Sequence, residues 1–541
     1  MIASPGEDVS AVARRWGVSP LVAQLLLNRQ IPSDQSADAF LSPQLKDLHP
    51  PDLLPGATKA ASLVAQAVRD GSTIALYGDY DVDGTTGIAI LWHVLTQLGA
   101  KATFYVPHRI EEGYGLNLEA VRSLVDDGAR MIVSIDCGVT AVEVAQALAD
   151  SDVQLIITDH HAPQATLPKA EAIVHPGLTE EYPNPHLSGA GVAFKLAWEV
   201  ARQVTGSQRV GPELRDLLME MLPLAALGTI ADVVPLRGEN RVLARHGLER
   251  LVHTPLPGLR ALIQSAGLGS GKISGYDVGF KLAPRINAAG RMGHARLAVE
   301  LLTRADADRA REIALYLEEH NRARQSTERK ILKQAVEMVE RHNLVTDARR
   351  AIVLASEGWH AGVIGIVAAR LVNRFHRPAV MISLSNGEGQ GSARSIAPFN
   401  ISDALISCQD HLLACGGHAM AAGLRMAGDQ VEAFTEAFVH IANNRLTGQD
   451  LIPRLRLDAE VSLSDLTMRT AEAVTGLGPF GTGNPKPRLA TGWVELAAEP
   501  RCVGARRDHL QAAFRENGSS LRAIGFGLGD RIEDQIGRAH V

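Results

Sequence analysis

Cysteine is scarce in this chain: Cys137, Cys408, Cys415 and Cys502 are the only four in 541 residues, and none forms a CxxC pair. That excludes a disulfide framework and a zinc knuckle, and it fits a reducing compartment. Aromatic residues make up only 4% of the chain, so few large rings are available for core or surface. No run of about 18 apolar residues occurs, which excludes a membrane-spanning helix. The opening MIASPGEDVSAVARRWGVSP has no apolar signal core. The expectation is a soluble, cytoplasmic protein. A global excess of positive charge is also missing. The net charge is -6, so any basic surface must be local.

What is present is an ordinary globular balance, 46% hydrophobic and 21% charged, in a chain too long for one core. Residues 1–70 read as short helices broken by Pro and Gly. Apolar β-prone runs then alternate with helical patterns. STIALYG (72–78), KATFYVP (101–107), ARMIVSIDCG (129–138) and VQLIITDHH (153–161) read as strands, with EAIVHP (171–176) as a candidate fifth. TTGIAILWHVLTQLG, NLEAVRSLVDDG and AVEVAQALAD read as the helices between them. This alternation predicts a doubly wound parallel α/β sheet. Residues 186–265 read as mainly helical.

From Leu301 to Arg350 there is neither Gly nor Pro. The segment reads as one charged helix of about 40 residues and 60 Å, better suited to bridging domains than to filling a core. A second α/β unit follows, with ACGGHAMAAGL (414–424) read as a glycine-rich turn into a helix. From about Asp450 short alternating strands with Gly/Pro turns predict a small β-barrel or sandwich. The terminal EDQIGRAHV (533–541) shows no closing strand, so this last unit is expected to be truncated or to end in a foreign tail.

The chemistry lies at the strand ends. GDYDVDG (78–84) carries Asp79, Asp81 and Asp83 at alternate positions; Asp136 ends MIVSID; Asp159, His160 and His161 end LIITDHH. Ligands in an open parallel sheet bind outside the carboxyl ends of the strands, so these clusters should meet on one rim. Asp232, in LGTIADVVPL, is a weaker fourth candidate, since an Asp there could simply end a helix. Alternate spacing puts the first three aspartates on one side if the segment is extended, and the flanking glycines would permit a tight turn. Crowded carboxylates raise one another's pKa unless a cation neutralises them. Oxygen ligands with one or two imidazoles suit Mn²⁺ or Mg²⁺ better than zinc, and five or so carboxylates are enough for two ions. A lone DxD is as readily a helix cap, and a lone DHH a cap plus a core histidine; three such clusters together point to a metal site.

GDYDVDG, SIDCG, TDHH and GTIADVVPL, in this order, resemble the DHH phosphoesterase family, and CGGHAMAAG resembles its associated glycine-glycine-histidine domain. PRINAAGRMGHA (284–295), GWHAGVIGIVAARL (358–371), GSARS (391–395) and GLGPFGTGNPKP (476–487) extend the resemblance, from about residue 55 onward, to the RecJ-type single-strand-specific exonucleases of that family. The resemblance implies five parts: a lead-in (1–55), a DHH catalytic domain (56–300), a long connecting helix (301–345), a smaller α/β substrate-binding domain (346–447) and an OB-like β-barrel domain (448–541).

It also implies two ions, Mn²⁺ or Mg²⁺, held by Asp79, Asp81, Asp83, Asp136, His160 and Asp232, with Asp136 between them. His161 would stand close to the scissile phosphate as a proton donor or supporting group. Water activated by the ions would be the nucleophile. The implied reaction is 5′-to-3′ hydrolysis of single-stranded DNA to nucleoside 5′-monophosphates, in DNA repair and recombination. Arg109, Asn287, Arg291, Arg394, Gly416, Gly417 and His418 fall on matching motifs as candidate substrate contacts, with Arg285 beside them; an arginine fork suits a phosphate.

A helix opening at CGGHAMAAG would offer backbone N–H groups to a phosphate. In the terminal domain Lys486, Arg488, Arg501, Arg506, Arg507 and Arg515 provide local positive charge. Of Phe480, Trp493, Phe514 and Phe526, most are expected in the core, so binding there should be electrostatic, indifferent to sequence and salt-sensitive. A monomer is expected, with single-stranded DNA as partner and a single-strand-binding protein and a helicase as further candidates. The alternatives are a nano-RNase or cyclic-dinucleotide phosphodiesterase of the same family, an inorganic pyrophosphatase, and a non-catalytic DNA-binding replication scaffold. The first two need no terminal β domain, and the third would be free to lose ligands that this chain keeps.

Overall fold

TIALYG, MIVSI and QLIIT are continuous apolar runs, the pattern of strands covered on both faces, and they form the centre of the first sheet in a computed structural model of the chain. The structure describes residues 8–532, except 34–36, 109–111, 113, 114, 150, 208, 270 and 293. The first sheet is parallel throughout, with order β2-β1-β3-β4-β5. Its strands are β1 (Thr73–Gly78), β2 (Lys101–Tyr105), β3 (Met131–Ile135), β4 (Gln154–Thr158) and β5 (Ala172–Val174). Helices cover both faces. Val82–Gln97 and Gly189–Thr205 pack on one side, and Leu118–Asp126 and Val142–Leu148 on the other. The sheet is doubly wound, and its order reverses between β1 and β3, the position at which such folds open a ligand crevice.

The second sheet is mixed, with order β6-β7-β8-β10-β9. It comprises β6 (Ile352–Glu357), β7 (Ala379–Ser385), β8 (Glu388–Arg394), β9 (Ala414–His418) and β10 (Ala421–Ala427). CGGHAMAAGL is therefore a β-hairpin, not a turn opening a helix. AAGLRMA alternates buried and exposed side chains, a strand period, and this outweighs the helical reading of its alanines. The helix N-terminus expected to hold a phosphate is not there.

Between the units runs the helix Ala307–Arg341, 35 residues long. It starts later than expected, because the separate helix Ala295–Thr303 precedes it. Ala310, Ile313, Ala314 and Leu317 belong to the core of the first unit; Ile331, Ala335 and Val339 belong to a core of the second. Midway, buried Arg324 pairs with Glu328 at 2.8 Å, and Glu328 also takes Arg370 from the helix Ala361–Phe375. One amphipathic stripe thus serves two cores.

The C-terminal unit has β11 (Ala459–Glu460) paired with β12 (Leu489–Ala490), then an antiparallel meander of β13 (Glu495–Val503), β14 (His509–Glu516) and β15 (Ser519–Gly525). RLRLDAEVSL contributes only the short β11, and the helix Met468–Gly476 stands where strands were expected. Phe514 is core and Phe480 packs into a core, but Trp493 and Phe526 are exposed. The expectation that most of the four would be core holds for only two of them. EDQIGRAHV lies outside the described residues.

The N-terminal helices are not idle. Val22, Leu25, Leu26 and Phe40 pack with Leu477. Arg29 donates to the Asn484 side chain at 2.6 Å and to the Pro485 carbonyl at 2.7 Å. Arg241, fully buried, donates to the carbonyls of Phe40 (2.7 Å), Leu477 (3.0 Å) and Gly478 (2.8 Å). Two arginines therefore tie N-terminal segment, first unit and C-terminal unit together.

Candidate metal centre

Three aspartates continue three adjacent strands. The Asp79 N–H donates to the Ile135 carbonyl (3.3 Å), Asp136 to Thr158 (2.9 Å) and Asp159 to Val174 (3.1 Å). The parallel ladder thus runs one rung past the strands and sets the aspartates side by side. Asp136 holds a left-handed backbone, φ 63°, at a cost of about 1–3 kcal/mol.

GDYDVDG is not one extended segment. It leaves β1 and enters the helix Val82–Gln97 at once, with Asp81 as its N-cap, accepting from the N–H groups of Asp83 (2.8 Å) and Gly84 (3.1 Å). Asp83 lies in the first turn, and the helix rather than an extended pleat returns it to the side of Asp79. Neither bounding glycine has a positive φ. They are needed for space: a Cβ on Gly84 would come 2.5 Å from the Asp79 backbone, and one on Gly78 2.5 Å from Ile88.

Facing them is the start of the helix Gly189–Thr205, capped by Ser188. The N–H groups of Gly189 and Ala190 donate to the two Asp83 oxygens at 2.6 and 2.9 Å, so a helix N-terminus holds that carboxylate in place. A Cβ on Gly189 would meet the Asp136 carboxylate at 2.5 Å, and one on Gly228 would meet Asp83 at 2.4 Å. LSGAG and Gly228 are functional positions beyond the strand-end motifs; the signal for the first is a serine followed by Gly-Ala-Gly at a helix start.

His160 Nε2 lies 3.1 Å from Asp136, 3.5 Å from Asp232 and 3.8 Å from Asp83, yet it is buried without a hydrogen bond among the described residues. Ligand atoms form three close groups, each within 4.8 Å: Asp79, Asp81 and Asp136; Asp83, His160 and Asp232; Asp136, His160 and His161. The six expected ligands therefore converge. Burial and the charge of Asp81 push Asp83 up to about 7. Burial, then Asp83 and Asp81, push Asp232 up to about 8 and Asp136 well above the carboxylate range. Burial and then the charge of His161 lower His160 to about 3, leaving a neutral imidazole. Crowded, repelling carboxylates and a neutral imidazole with a bare buried nitrogen fit divalent cations with oxygen-rich ligation.

Asp159 does other work. It accepts from the N–H groups of Val139 (2.9 Å), His160 (2.7 Å) and His161 (3.1 Å), and contacts His161 Nδ1 at 2.8 Å. Burial alone would lower His161; the hydrogen bond and charge of Asp159 outweigh it and raise the imidazole to about 9. Burial would likewise raise Asp159, but His161 holds it down at about 2. His175 adds support, its Nε2 2.7 Å from the His161 carbonyl.

The expected substrate contacts lie farther out. Asn287 is on the helix Ala283–Met292, which meets the motif at Gly290, where a Cβ would come 3.1 Å from the Tyr80 carbonyl. Arg285 is drawn off to Glu318 (2.7 Å). Its neighbour on the long helix claims it, so it is not a free phosphate fork. Arg109 lies outside the described residues, as does the side chain of Arg291. Arg394 and His418 stand in one row of the second sheet, each paired with Ala421. Two rungs on, the row Ser392, Gly423 and Gly416 has almost no side chains. Gly417 belongs to the same hairpin and takes φ 145°.

A parallel sheet with a carboxylate–imidazole cluster at its switch point defines a metal-dependent phosphoesterase. A model of the DHH family N-terminal domain matches residues 73–229, the DHHA1 domain matches 348–444 and the RecJ OB domain matches 457–541. The single-stranded-DNA-specific exonuclease RecJ of Bacillus subtilis is 40% identical over 98% of this chain, which spans 66% of that relative's length. The Haemophilus influenzae exonuclease of the same name is 33% identical over 95% of this chain and 90% of its own. The crystal structure of Thermus thermophilus RecJ with Mn²⁺ superposes with a TM-score of 0.81 at 33% identity, over 96% of this chain and 72% of that one. The chain belongs to the RecJ family of DHH phosphoesterases.

Proposed function

We propose that this chain is a metal-dependent 5′-to-3′ exonuclease on single-stranded DNA that releases nucleoside 5′-monophosphates in DNA repair and recombination. The observation that carries the reading is the convergence of Asp79, Asp81, Asp83, Asp136, His160 and Asp232 on one rim. Asp79, Asp81 and Asp136 would hold one Mn²⁺ or Mg²⁺ ion, and Asp83, His160 and Asp232 the other, with Asp136 3.1 Å from His160. Two such ions lower the pKa of water and stabilise charge on the attacked phosphate.

The protein's own groups set the geometry. The helix start at Ser188–Ala190 fixes Asp83, and the left-handed backbone aims Asp136. His161, kept protonated by Asp159, presents positive charge and a proton to the phosphate or its leaving oxygen. Arg109, Arg291 and Arg394 would bind phosphates of the strand. Asn287 and His418 would contact the strand, and Gly416 and Gly417 would let it approach the backbone closely. No helix among the described residues is long and apolar enough to cross a membrane. The reading places the protein in the cytoplasm as a monomer that works on single strands supplied by a helicase and covered by a single-strand-binding protein.

The test is hydrolysis with Mn²⁺ of 5′-phosphorylated single-stranded DNA, blunt duplex, short RNA and cyclic dinucleotide, with Asp136→Ala alongside. Cleavage confined to the DNA single strand, and lost in the variant, is expected. Cleavage of short RNA or cyclic dinucleotide alone, or none with metal, would reject it.

A further inference from the structure

A groove of about 1420 Å³ runs between the first unit and the helix Met468–Gly476 of the C-terminal unit. It exceeds the roughly 300–1,000 Å³ of a small-molecule site and has room for an extended occupant. Its walls carry an unusual share of exposed apolar surface: Val233 is 64% exposed, Tyr276 65%, Phe280 68% and Met468 76%. Tyr276 and Phe280 stack on each other with ring centroids 4.6 Å apart. Apolar patches of this kind on an otherwise polar surface mark binding sites.

The groove wall comes within one residue of the metal cluster. Val233 follows Asp232 directly and lines the groove, while the Asp232 carboxylate sits in the metal cluster. Val233 takes a left-handed backbone, φ 66°, rare for a β-branched residue. On the far side the π-helical turn Val278–Leu282 carries Phe280 and runs into the helix that bears Asn287. Lys272 and Lys486 line the same groove and have no acidic partner among the described residues. Arg245 is neutralised by Glu249 at 2.7 Å, and Glu472 is the one unpaired acid of the lining.

We infer that this groove holds the bases of single-stranded DNA next to the scissile end, stacked on Tyr276 and Phe280, with Lys272 and Lys486 on the neighbouring phosphates. The inference rests on the exonuclease reading and adds a subsite to it. Bases fit because flat aromatic faces accept any base, lysines complement phosphate, and the groove wall includes Val233, the residue after Asp232.

The experiment uses the full chain with Mn²⁺ and 5′-phosphorylated DNA strands from a dinucleotide to a long oligonucleotide. In the unaltered protein KM should fall as the strand lengthens into the groove. In Tyr276→Ala/Phe280→Ala that fall should be lost, with KM on the long strand raised roughly tenfold or more. Tyr276→Phe/Phe280→Tyr should restore it. A photoreactive thymine analogue near the 5′ end should crosslink to Tyr276 or Phe280. Unchanged length dependence in the alanine variant overturns the proposal, as do crosslinks that map to Trp493 or Phe526 instead. A variant that keeps its DNA affinity but loses a protein ligand would assign the groove to a peptide and also overturn it. Failure of the unaltered protein to cut any strand counts against the exonuclease reading, not against this groove alone.

Discussion

Gly189 stands so close to Asp136 that a Cβ there would lie 2.5 Å from the carboxylate oxygen. The same residue donates its N–H to Asp83 at 2.6 Å. Gly189→Ala should therefore displace a carboxylate that belongs to one proposed ion site and lies 3.1 Å from His160 of the other. Metal affinity and hydrolysis should fall roughly 10–100-fold, the range for groups that position ligands, while the circular dichroism spectrum stays unchanged. Isothermal titration with Mn²⁺ checks it. Gly228→Ala, which would crowd Asp83 at 2.4 Å, should behave alike.

Asp159→Asn should move the pH profile. In the metal-free site the hydrogen bond and charge of Asp159 outweigh burial and raise His161 to about 9, which favours the protonated imidazole at neutral pH. A histidine raised in this way contributes stability that is fully present below its unfolded pKa of about 6.5 and lost as pH rises through about 9. Removing the charge should bring the alkaline limb of kcat down towards neutral pH and lower activity at pH 8. An unshifted limb would mean that His161 does not donate the proton.

Without metal, Asp83 and Asp232 are raised to about 7 and about 8. For raised carboxyls the stabilising contribution is full below about 4 and is lost as pH climbs through 7 to 8. A bound cation reverses this. The rise in Tm on adding Mn²⁺ should thus be small at pH 5 and grow towards pH 8, with proton release on binding. Chelation at pH 8 should lower Tm, and a metal effect independent of pH would contradict the assignment.

Arg241→Met should loosen the molecule at a distance from the metals. It would leave the buried carbonyls of Phe40, Leu477 and Gly478 without their donor. A loss of about 2–4 kcal/mol follows from unsatisfied buried groups, read as a lower urea midpoint. Limited proteolysis should then release the C-terminal unit first.

The strand-end carboxylates could be read from sequence because one rule, that ligands gather at the carboxyl ends of parallel strands, is local enough to apply by eye. The supporting groups could not. Ser188, Gly189 and Gly228 matter through what lies opposite them, and nothing nearby in sequence announces Asp83. The CGGH segment misled because glycine and alanine favour no one structure; only the pairing of β9 with β10, itself anchored on β8, decides for a strand. Arg29 and Arg241 were invisible for the same reason, since their acceptors lie hundreds of positions away. Arg285 looked available until Glu318 on the long helix claimed it.

The helix Ala307–Arg341 is rooted at each end in a different core. It behaves as a rigid axle, and each residue in it is worth about 1.5 Å of advance and about 100° of rotation. Inserting a single residue near Asn321 would therefore hardly widen the gap between the units, but it would swing the second sheet a quarter-turn and more about the axle. Length variation along this stretch should be tolerated only in steps that approach whole turns.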